Sequence, residues 1–256
     1  MICKICNQIS NYIFTAKILG KYYIKYYYCD NCGFMQTEEP YWLDEAYKEP
    51  INITDTGYIQ RNIQFSQKLT IILSIFFKKN EKFLDYSGGY GMFTRLMRDI
   101  GFDFYWDDKY TKNLFARGFE HKLGTTYEAI TSFESFEHYV EPIKELEYLL
   151  NLTQNIIFST ELLPYPIPKP EDWWYYGLNH GQHIAFYSKK TLQFLANKYQ
   201  LNYSHYRDLH IFSLKTITDQ NLNILNQSNY QIFEHFRSQL KSKTWDDFLK
   251  LMEIYK

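Results

Sequence analysis

Short apolar runs alternate with amphipathic stretches along most of this chain, which is typical of an α/β fold. Four apolar runs predict buried strands, at 83–85, 102–106, 127–134 and 155–160. A helical pattern begins at Met92, directly after the first run, and another over 56–79 precedes it. The pattern therefore predicts a sheet whose strands are joined by helices.

Towards the C-terminus the pattern changes from strand–helix units to a hairpin and then to helices. A capped helix is predicted from Ser188, and hairpin strands over 203–215. Amphipathic helices are expected over 219–255, with an apolar face that packs on the domain, formed by Phe233, Phe236, Leu240, Trp245, Phe248 and Leu251. The predicted segments are a cysteine-bearing lobe (1–45), a helical connector (46–80), the α/β domain (81–215) and a C-terminal helical extension (216–256).

The first strand ends in a glycine turn, Asp85-Tyr86-Ser87-Gly88-Gly89-Tyr90-Gly91. A strand, a glycine turn and a helix together bring backbone N–H groups and a positive helix end towards a nucleotide-like ligand. The turn resembles the D-x-G-x-G-x-G turn of class I S-adenosylmethionine-dependent methyltransferases. Ser87 stands where that family has its first glycine, which costs about 1 kcal/mol or more if the position needs a positive φ.

The downstream residues follow the same family order. Asp108 ends the second strand at the family's spacing from Gly101, where a carboxylate binds the ribose hydroxyls, with Asp107 as the alternative. The segment from Tyr127 to His138 resembles the family's fourth strand and the E-x-x-E-H sequence after it. The resemblance implies a Rossmann-like class I methyltransferase sheet, mostly parallel with an antiparallel closing strand. It implies S-adenosylmethionine contacts from Asp85, Ser87, Gly88, Gly89, Gly91, Asp108, Phe133 and Glu134; plain helix capping is the alternative for Glu134.

All four cysteines fall in two pairs, Cys3-x-x-Cys6 and Cys29-x-x-Cys32. Two such pairs supply the four thiolates of a structural zinc site, whose role is folding rather than chemistry. The N-terminal residues lack the basic leader and apolar core of a secretion signal, so we expect a cytoplasmic protein in which disulfides are disfavoured.

Composition narrows the classes of partner. The net charge is −1 and the sequence pI is about 6.7, which does not favour a nucleic-acid surface. No apolar run approaches the roughly 18 residues that span a bilayer. A small-molecule acceptor is therefore expected, while the sequence makes no prediction of oligomeric state.

The segment Gly181-Gln182-His183-Ile184-Ala185-Phe186-Tyr187-Ser188 resembles the H-E-H-x-x-Y-F-S sequence of zinc-containing sugar C-methyltransferases, which also begin with a cysteine-rich lobe. Gly181 and Gln182 replace the histidine and glutamate, so the chain lacks two groups that could take a proton from carbon. His183 is retained as the candidate base, with a loop-ordering role as the alternative. Trp173, Trp174, Tyr175, His180 and Gln182 are candidate acceptor contacts, with lid packing as the alternative for the aromatic residues. His138 is expected to be structural.

Three classes of function follow. The first is O-methylation of a sugar, or of a phosphorylated or phosphoramidate-type precursor, for a surface or capsular polysaccharide, with sugar C-methylation as its alternative. The second is an rRNA base methyltransferase with a zinc lobe. The third is a non-enzymatic scaffold with a decayed cofactor site, which Ser87 makes conceivable.

Overall fold

The computed structural model describes residues 1–48, 51–226 and 229–254. Its strands are β1 (Asn11–Ile18), β2 (Tyr22–Tyr28), β3 (Met35–Thr37), β4 (Lys82–Tyr86), β5 (Asp103–Asp107), β6 (Ala129–Ser132), β7 (Asn155–Ser159), β8 (Ala185–Phe186), β9 (Asn202–Tyr206) and β10 (Leu209–Ser213). Its α-helices are α1 (Leu43–Ala46), α2 (Tyr58–Phe76), α3 (Met92–Ile100), α4 (Pro142–Leu152), α5 (Lys189–Lys198), α6 (Asp219–Leu222), α7 (Asn229–Arg237) and α8 (Thr244–Ile254).

The central sheet has the strand order β5-β4-β6-β7-β10-β9. The first four strands are parallel, and β10 runs antiparallel to both β7 and β9. Strands β6 and β7 are almost entirely buried because helices cover both faces of the sheet, as parallel sheets require. A single parallel bridge between Trp106 and Glu120 extends the sheet beyond β5. The α/β fold class predicted from the sequence, with its antiparallel closing strand, is confirmed.

The N-terminal sheet has the order β1-β2-β3-β8 and is antiparallel throughout. Strands β1 and β2 are joined by a tight turn in which Leu19 and Gly20 both have positive φ, the conformation that fits a twisted hairpin. Strand β8 comes from the segment that carries His183, more than a hundred residues further along the chain. The N-terminal sheet is therefore completed by the α/β domain, and the two share a continuous core.

The predicted starts of α3 and α5 are confirmed. The prediction of C-terminal helices that pack on the domain is confirmed in part. Ser188 caps α5, with Thr191 completing a reciprocal capping pair. In the C-terminal region Phe233 is buried, and Asp247 of α8 forms a bidentate ion pair with buried Arg98 of α3.

The prediction that Trp245 and Phe248 pack on the domain is wrong. Their side chains are 64% and 48% exposed and stack on one another, because Arg98 holds α8 by the face that carries Asp247. Within the described residues, no helix has both the length and the hydrophobicity to cross a membrane.

Candidate active site

A cavity of about 1360 Å³ lies at the carboxyl ends of the parallel strands, where open α/β sheets bind ligands. Its volume exceeds the roughly 300–1,000 Å³ of a pocket for one small ligand, so it has room for a cofactor and an acceptor together. Apart from Gly91 and the cysteines, it brings together every site residue predicted from the sequence, namely Asp85, Ser87, Gly88, Gly89, Asp108, Phe133, Glu134, Trp173, Trp174, Tyr175, His180, Gln182 and His183.

The glycine turn is packed too closely for side chains. A Cβ on Gly88 would lie 2.6 Å from Oδ2 of Asp85, and one on Gly91 would lie 2.7 Å from Oδ1 of Asn113. Asp85 is buried beneath the turn and accepts hydrogen bonds from the hydroxyls of Thr94 and Thr131, at 2.9 and 3.2 Å. Burial raises its pKa to about 7. Asp85 therefore supports the turn from below.

Ser87 has φ of 56° and Gly89 has the same value. The first family glycine position thus does require the left-handed region, and Ser87 adopts it at the steric cost that a Cβ carries there. The condition under which the sequence analysis expected a steric cost at Ser87 is therefore met.

Asp108 ties the turn to the end of β5. Its Oδ2 accepts a hydrogen bond from the backbone N–H of Gly89 at 2.9 Å, and its Oδ1 accepts from the N–H groups of Tyr110 and Thr111 at 2.7 and 2.8 Å. A carboxylate has about four acceptor positions, so it retains capacity for a ligand hydroxyl. The neighbouring Asp107 also lines the cavity, and burial raises its pKa.

Two carboxyl groups follow β6. Glu134 has φ of 50°, and its Oε1 accepts a hydrogen bond from the Ser159 hydroxyl at 2.6 Å. Burial raises the pKa of both Glu134 and Glu137 to about 7, and the negative charge of Glu137 adds to the shift at Glu134. Within the described part of the chain, neither carboxylate oxygen of Glu137 has a partner in hydrogen-bonding geometry, although the hydroxyls of Tyr175 and Thr160 are near enough to favour its ionised form.

Three histidines stand beside Glu137. The ring of His183 lies 4.9 Å from that of His138 and 4.7 Å from that of His180, centroid to centroid. Burial lowers the pKa of His138 and of His180 to about 4, and that of His183 well below its usual value. The three imidazoles are therefore neutral at physiological pH, each with one nitrogen free of a proton.

The hydrogen bonds select a tautomer for each ring. Nδ1 of His183 lies 2.6 Å from the carbonyl oxygen of Tyr175, and Nδ1 of His138 lies 3.1 Å from that of Gln182. A carbonyl can only accept, so these two rings carry their proton on Nδ1 and keep the Nε2 lone pair. His180 is the reverse, because its Nδ1 accepts from the backbone N–H of Gln182 at 3.1 Å.

The aromatic candidates differ in exposure. Trp173 and Tyr175 are 8% and 2% exposed and pack edge to face or tilted against their neighbours, whereas Trp174 is 77% exposed at the rim. Gln182 is buried and donates to the carbonyl oxygen of Ala46, which ties the His183 segment to α1. Of this group, Trp174 offers the most free surface to an acceptor.

The N-terminal lobe holds the His183 segment in place. Met35 and Gln36 of β3 pair with Phe186 and Ala185 of β8, and the Trp42 indole donates to the carbonyl oxygen of Gly181 at 2.7 Å. Sequence reasoning missed this link, because nothing local in either segment marks the pairing. The lobe therefore forms part of the cavity's support.

The four cysteines meet at one point of that lobe. One sulfur from each lies within 4.8 Å of the others, and the Cys3–Cys32 and Cys6–Cys29 sulfur pairs are 3.5 and 3.4 Å apart. These separations are far longer than a disulfide bond and close to the roughly 3.8 Å between thiolates on a tetrahedral zinc ion. The donor set fits structural zinc, which would bind through all four thiolates and leave no open position.

The comparisons with known proteins identify the family. The model of the methyltransferase domain family matches residues 58–206, which is more than half of the chain. The chain therefore belongs to that family and is an S-adenosylmethionine-dependent methyltransferase. A comparison with curated protein sequences gave no match.

Solved structures similar to this chain include three methyltransferases. The plantazolicin methyltransferase BpumL with SAH is 14% identical and covers 79% of this chain and 91% of its own, with a TM-score of 0.48. The mitomycin 7-O-methyltransferase MmcR is 11% identical and covers 67% of this chain and 59% of its own, with a TM-score of 0.44. Magnesium protoporphyrin IX methyltransferase (ChlM) from Synechocystis PCC 6803 with bound SAM is 12% identical over 68% and 90%, with a TM-score of 0.37.

Proposed function

We propose that this enzyme transfers the methyl group of S-adenosylmethionine to a hydroxyl of a small, uncharged, saccharide-like acceptor. The observation that carries the proposal is the shared cavity, which has the glycine turn and Asp108 on one side and Glu137, His138 and His183 on the other. We assign the cofactor contacts to Asp85, Ser87, Gly88, Gly89, Asp108, Phe133 and Glu134, and we assign Gly91, which does not line the cavity, to shaping the turn. Phe133 stacks on Phe65 at 4.3 Å and so forms a flat apolar wall beside the turn.

The charge of the cavity supports an uncharged acceptor. Among its described lining residues eleven are acidic, while Arg61 and Lys109 are the two basic ones. Arg61 is already held by Asp55 through two hydrogen bonds of 3.0 and 2.7 Å. A phosphorylated or phosphoramidate-type precursor would meet repulsion here, because opposing like charges disfavour binding. Among the acceptors that the sequence left open we therefore favour the plain sugar, and a capsular or other surface polysaccharide remains its proposed destination.

The chemistry needs an acceptor oxygen in line with the sulfonium methyl and a group to take its proton. S-adenosylmethionine supplies the electrophilic methyl group when it is bound. His183 is the proposed proton acceptor, because its Nδ1–H is committed to the Tyr175 carbonyl and Nε2 keeps its lone pair. A buried imidazolium is costly, and the carboxylate of Glu137, within 4.8 Å of a His183 nitrogen, stabilises it while the proton is held.

A second candidate is transfer to an amine nitrogen. The acidic lining of the cavity favours it, since an ammonium group would be attracted to Glu134 and Glu137. Trp174, exposed at the rim, offers a ring face to such a cation.

A panel assay separates these acceptors. Zinc-loaded protein is incubated with labelled S-adenosylmethionine and matched sets of neutral sugars, amino sugars and sugar phosphates, and label transfer is measured. The proposal expects O-methylated products from neutral sugars and none from the matched phosphates. Label on nitrogen would select the second candidate, and turnover confined to sugar phosphates would reject both.

A further inference from the structure

Glu137, His138 and His183 form a compact carboxylate–imidazole trio on the cavity wall. One ligand atom from each lies within 4.8 Å of the others. Glu137 and His138 come from the 3-10 turn that follows β6, and His183 comes from the segment before β8. We propose that this trio binds a divalent transition-metal ion, at a site separate from the four cysteines.

The histidines are prepared as ligands by their hydrogen bonds. A metal-binding histidine donates its other ring N–H to a carbonyl or carboxylate, which fixes the ring and presents a lone pair to the ion. His138 and His183 both make such a bond, from Nδ1 to a backbone carbonyl. The Tyr47 hydroxyl lies 2.9 Å from Nδ1 of His138 and fixes that ring further. The lone pair of His180, on Nδ1, already accepts the backbone N–H of Gln182.

Glu137 supplies an independent observation. Its side chain has no exposed surface, and the hydroxyls of Tyr175 and Thr160 lie near its oxygens, although neither oxygen has a partner in hydrogen-bonding geometry among the described residues. A buried carboxylate without partners is costly unless a cation or donor compensates it.

The donor set indicates the class of ion. Two imidazoles and one carboxylate suit Fe²⁺, Co²⁺, Ni²⁺ or Zn²⁺ and leave positions open for other ligands. Bonds of about 2.1 Å place adjacent ligand atoms roughly 3.0–3.5 Å apart, so the trio needs to close by about 1 Å. All three residues line the cavity, so an ion that they hold would lie at its wall.

The consequence for catalysis rests on the proposed function. An ion held by Glu137, His138 and His183 would supply Lewis-acid chemistry and would lower the pKa of a sugar hydroxyl that binds to it. That hydroxyl would give its proton to water in the cavity, its oxygen would form the bond to the methyl carbon, and the carbon–sulfur bond would break to release S-adenosylhomocysteine. In the metal-loaded enzyme the ion, rather than His183, would activate the acceptor hydroxyl. His183 would then serve as a ligand of the ion.

The test uses the full chain with zinc on its cysteines and loosely bound metal removed by a weak chelator. Co²⁺ is titrated by calorimetry and by visible absorption, since ligation by imidazole and carboxylate lacks the thiolate charge-transfer bands of the cysteine site. We expect one equivalent to bind with a Kd on the order of 10 µM or tighter. Glu137→Gln and His183→Ala should each weaken binding at least about 10–100-fold, while His180→Gln should bind as the wild type does.

Two results would overturn the proposal. One is the absence of binding by the wild-type protein at about 1 mM Co²⁺. This result can be interpreted even if the variants do not fold. The other is binding that survives both substitutions in the trio. Titration of the same samples with S-adenosylhomocysteine reports on the methyl-donor site, so a protein that binds this ligand but no Co²⁺ rejects the metal site alone.

Discussion

Replacing Ser87 with glycine measures the strain in the cofactor turn. Ser87 has φ of 56° in a turn whose other residues include three glycines. A non-glycine residue in this region costs roughly 1–2 kcal/mol, while glycine costs about 0.4–1 kcal/mol in unfolded-state entropy. The difference predicts that Ser87→Gly raises the free energy of unfolding by about 0.5–1 kcal/mol.

The assay is thermal and denaturant unfolding of zinc-loaded protein. For a chain of this size each kcal/mol shifts Tm by about 2–4 °C, so the expected rise is about 1–4 °C. The affinity for S-adenosylhomocysteine should change by less than about twofold, because free and bound turns share the same strain. Ser87→Ala is the matched control: it keeps the Cβ and loses only the hydroxyl, so its stability should stay within about 0.5 kcal/mol of the wild type.

Loss of stability in Ser87→Gly, or an equal gain in Ser87→Ala, would refute this reasoning. The first result would mean that the serine side chain supports the turn. The second would mean that the hydroxyl, rather than the backbone, carries the cost.

Four further predictions concern the site and the lobe. Asp108→Asn should weaken S-adenosylhomocysteine binding about 10–100-fold by calorimetry, because it removes the charge that accepts the Gly89 N–H and that we propose as the acceptor of the ribose hydroxyls; unchanged affinity would point to Asp107. His183→Ala should lower kcat about 10²–10⁴-fold in methyl-transfer assays and leave the affinity for S-adenosylhomocysteine intact; unchanged turnover would reject its role as base. The pKa of Asp85 is raised to about 7, so the folded state binds more protons there than the unfolded state, and the contribution of Asp85 to stability should fall as pH rises from about 4 to 7. Asp85→Asn should therefore flatten the profile of Tm against pH in this range. An unchanged slope would contradict this prediction. Removing zinc should unfold the N-terminal sheet and abolish turnover. Amide exchange over 178–187 should become faster, because β8 loses its partner β3. Turnover that survives with all four thiols free would contradict the link between the N-terminal lobe and the His183 segment.

Local signals explain what the sequence predicted well. The strand, glycine turn and helix around Asp85 are encoded within a few residues, and the positive φ at Ser87 follows from the turn itself. The two cysteines of each pair are held together by a short local turn. One long-range contact between the two turns is therefore enough to bring all four sulfurs together. The other strands of the central sheet were predicted from their spacing relative to the glycine turn, which follows the order of the family.

Long-range pairing explains what the sequence did not predict. The two-residue strand β8 has no periodicity of its own, and its pairing with β3 is set by the fold of the lobe. The convergence of Glu137 with His138 and His183 depends on that pairing, although the E-x-x-E-H sequence had marked the first two. Trp245 and Phe248 lie outside the helix face that the Arg98–Asp247 ion pair holds against the domain, and helical periodicity alone does not identify that face.

Calorimetric titration of zinc-loaded protein with S-adenosylhomocysteine tests the central claim most directly, because every proposed step depends on a working methyl-donor site. We predict a Kd of about 10 µM or tighter for the wild type and binding at least about tenfold weaker for Asp108→Asn. No binding by the wild type at millimolar ligand would contradict the assignment of the cavity as the methyl-transfer site.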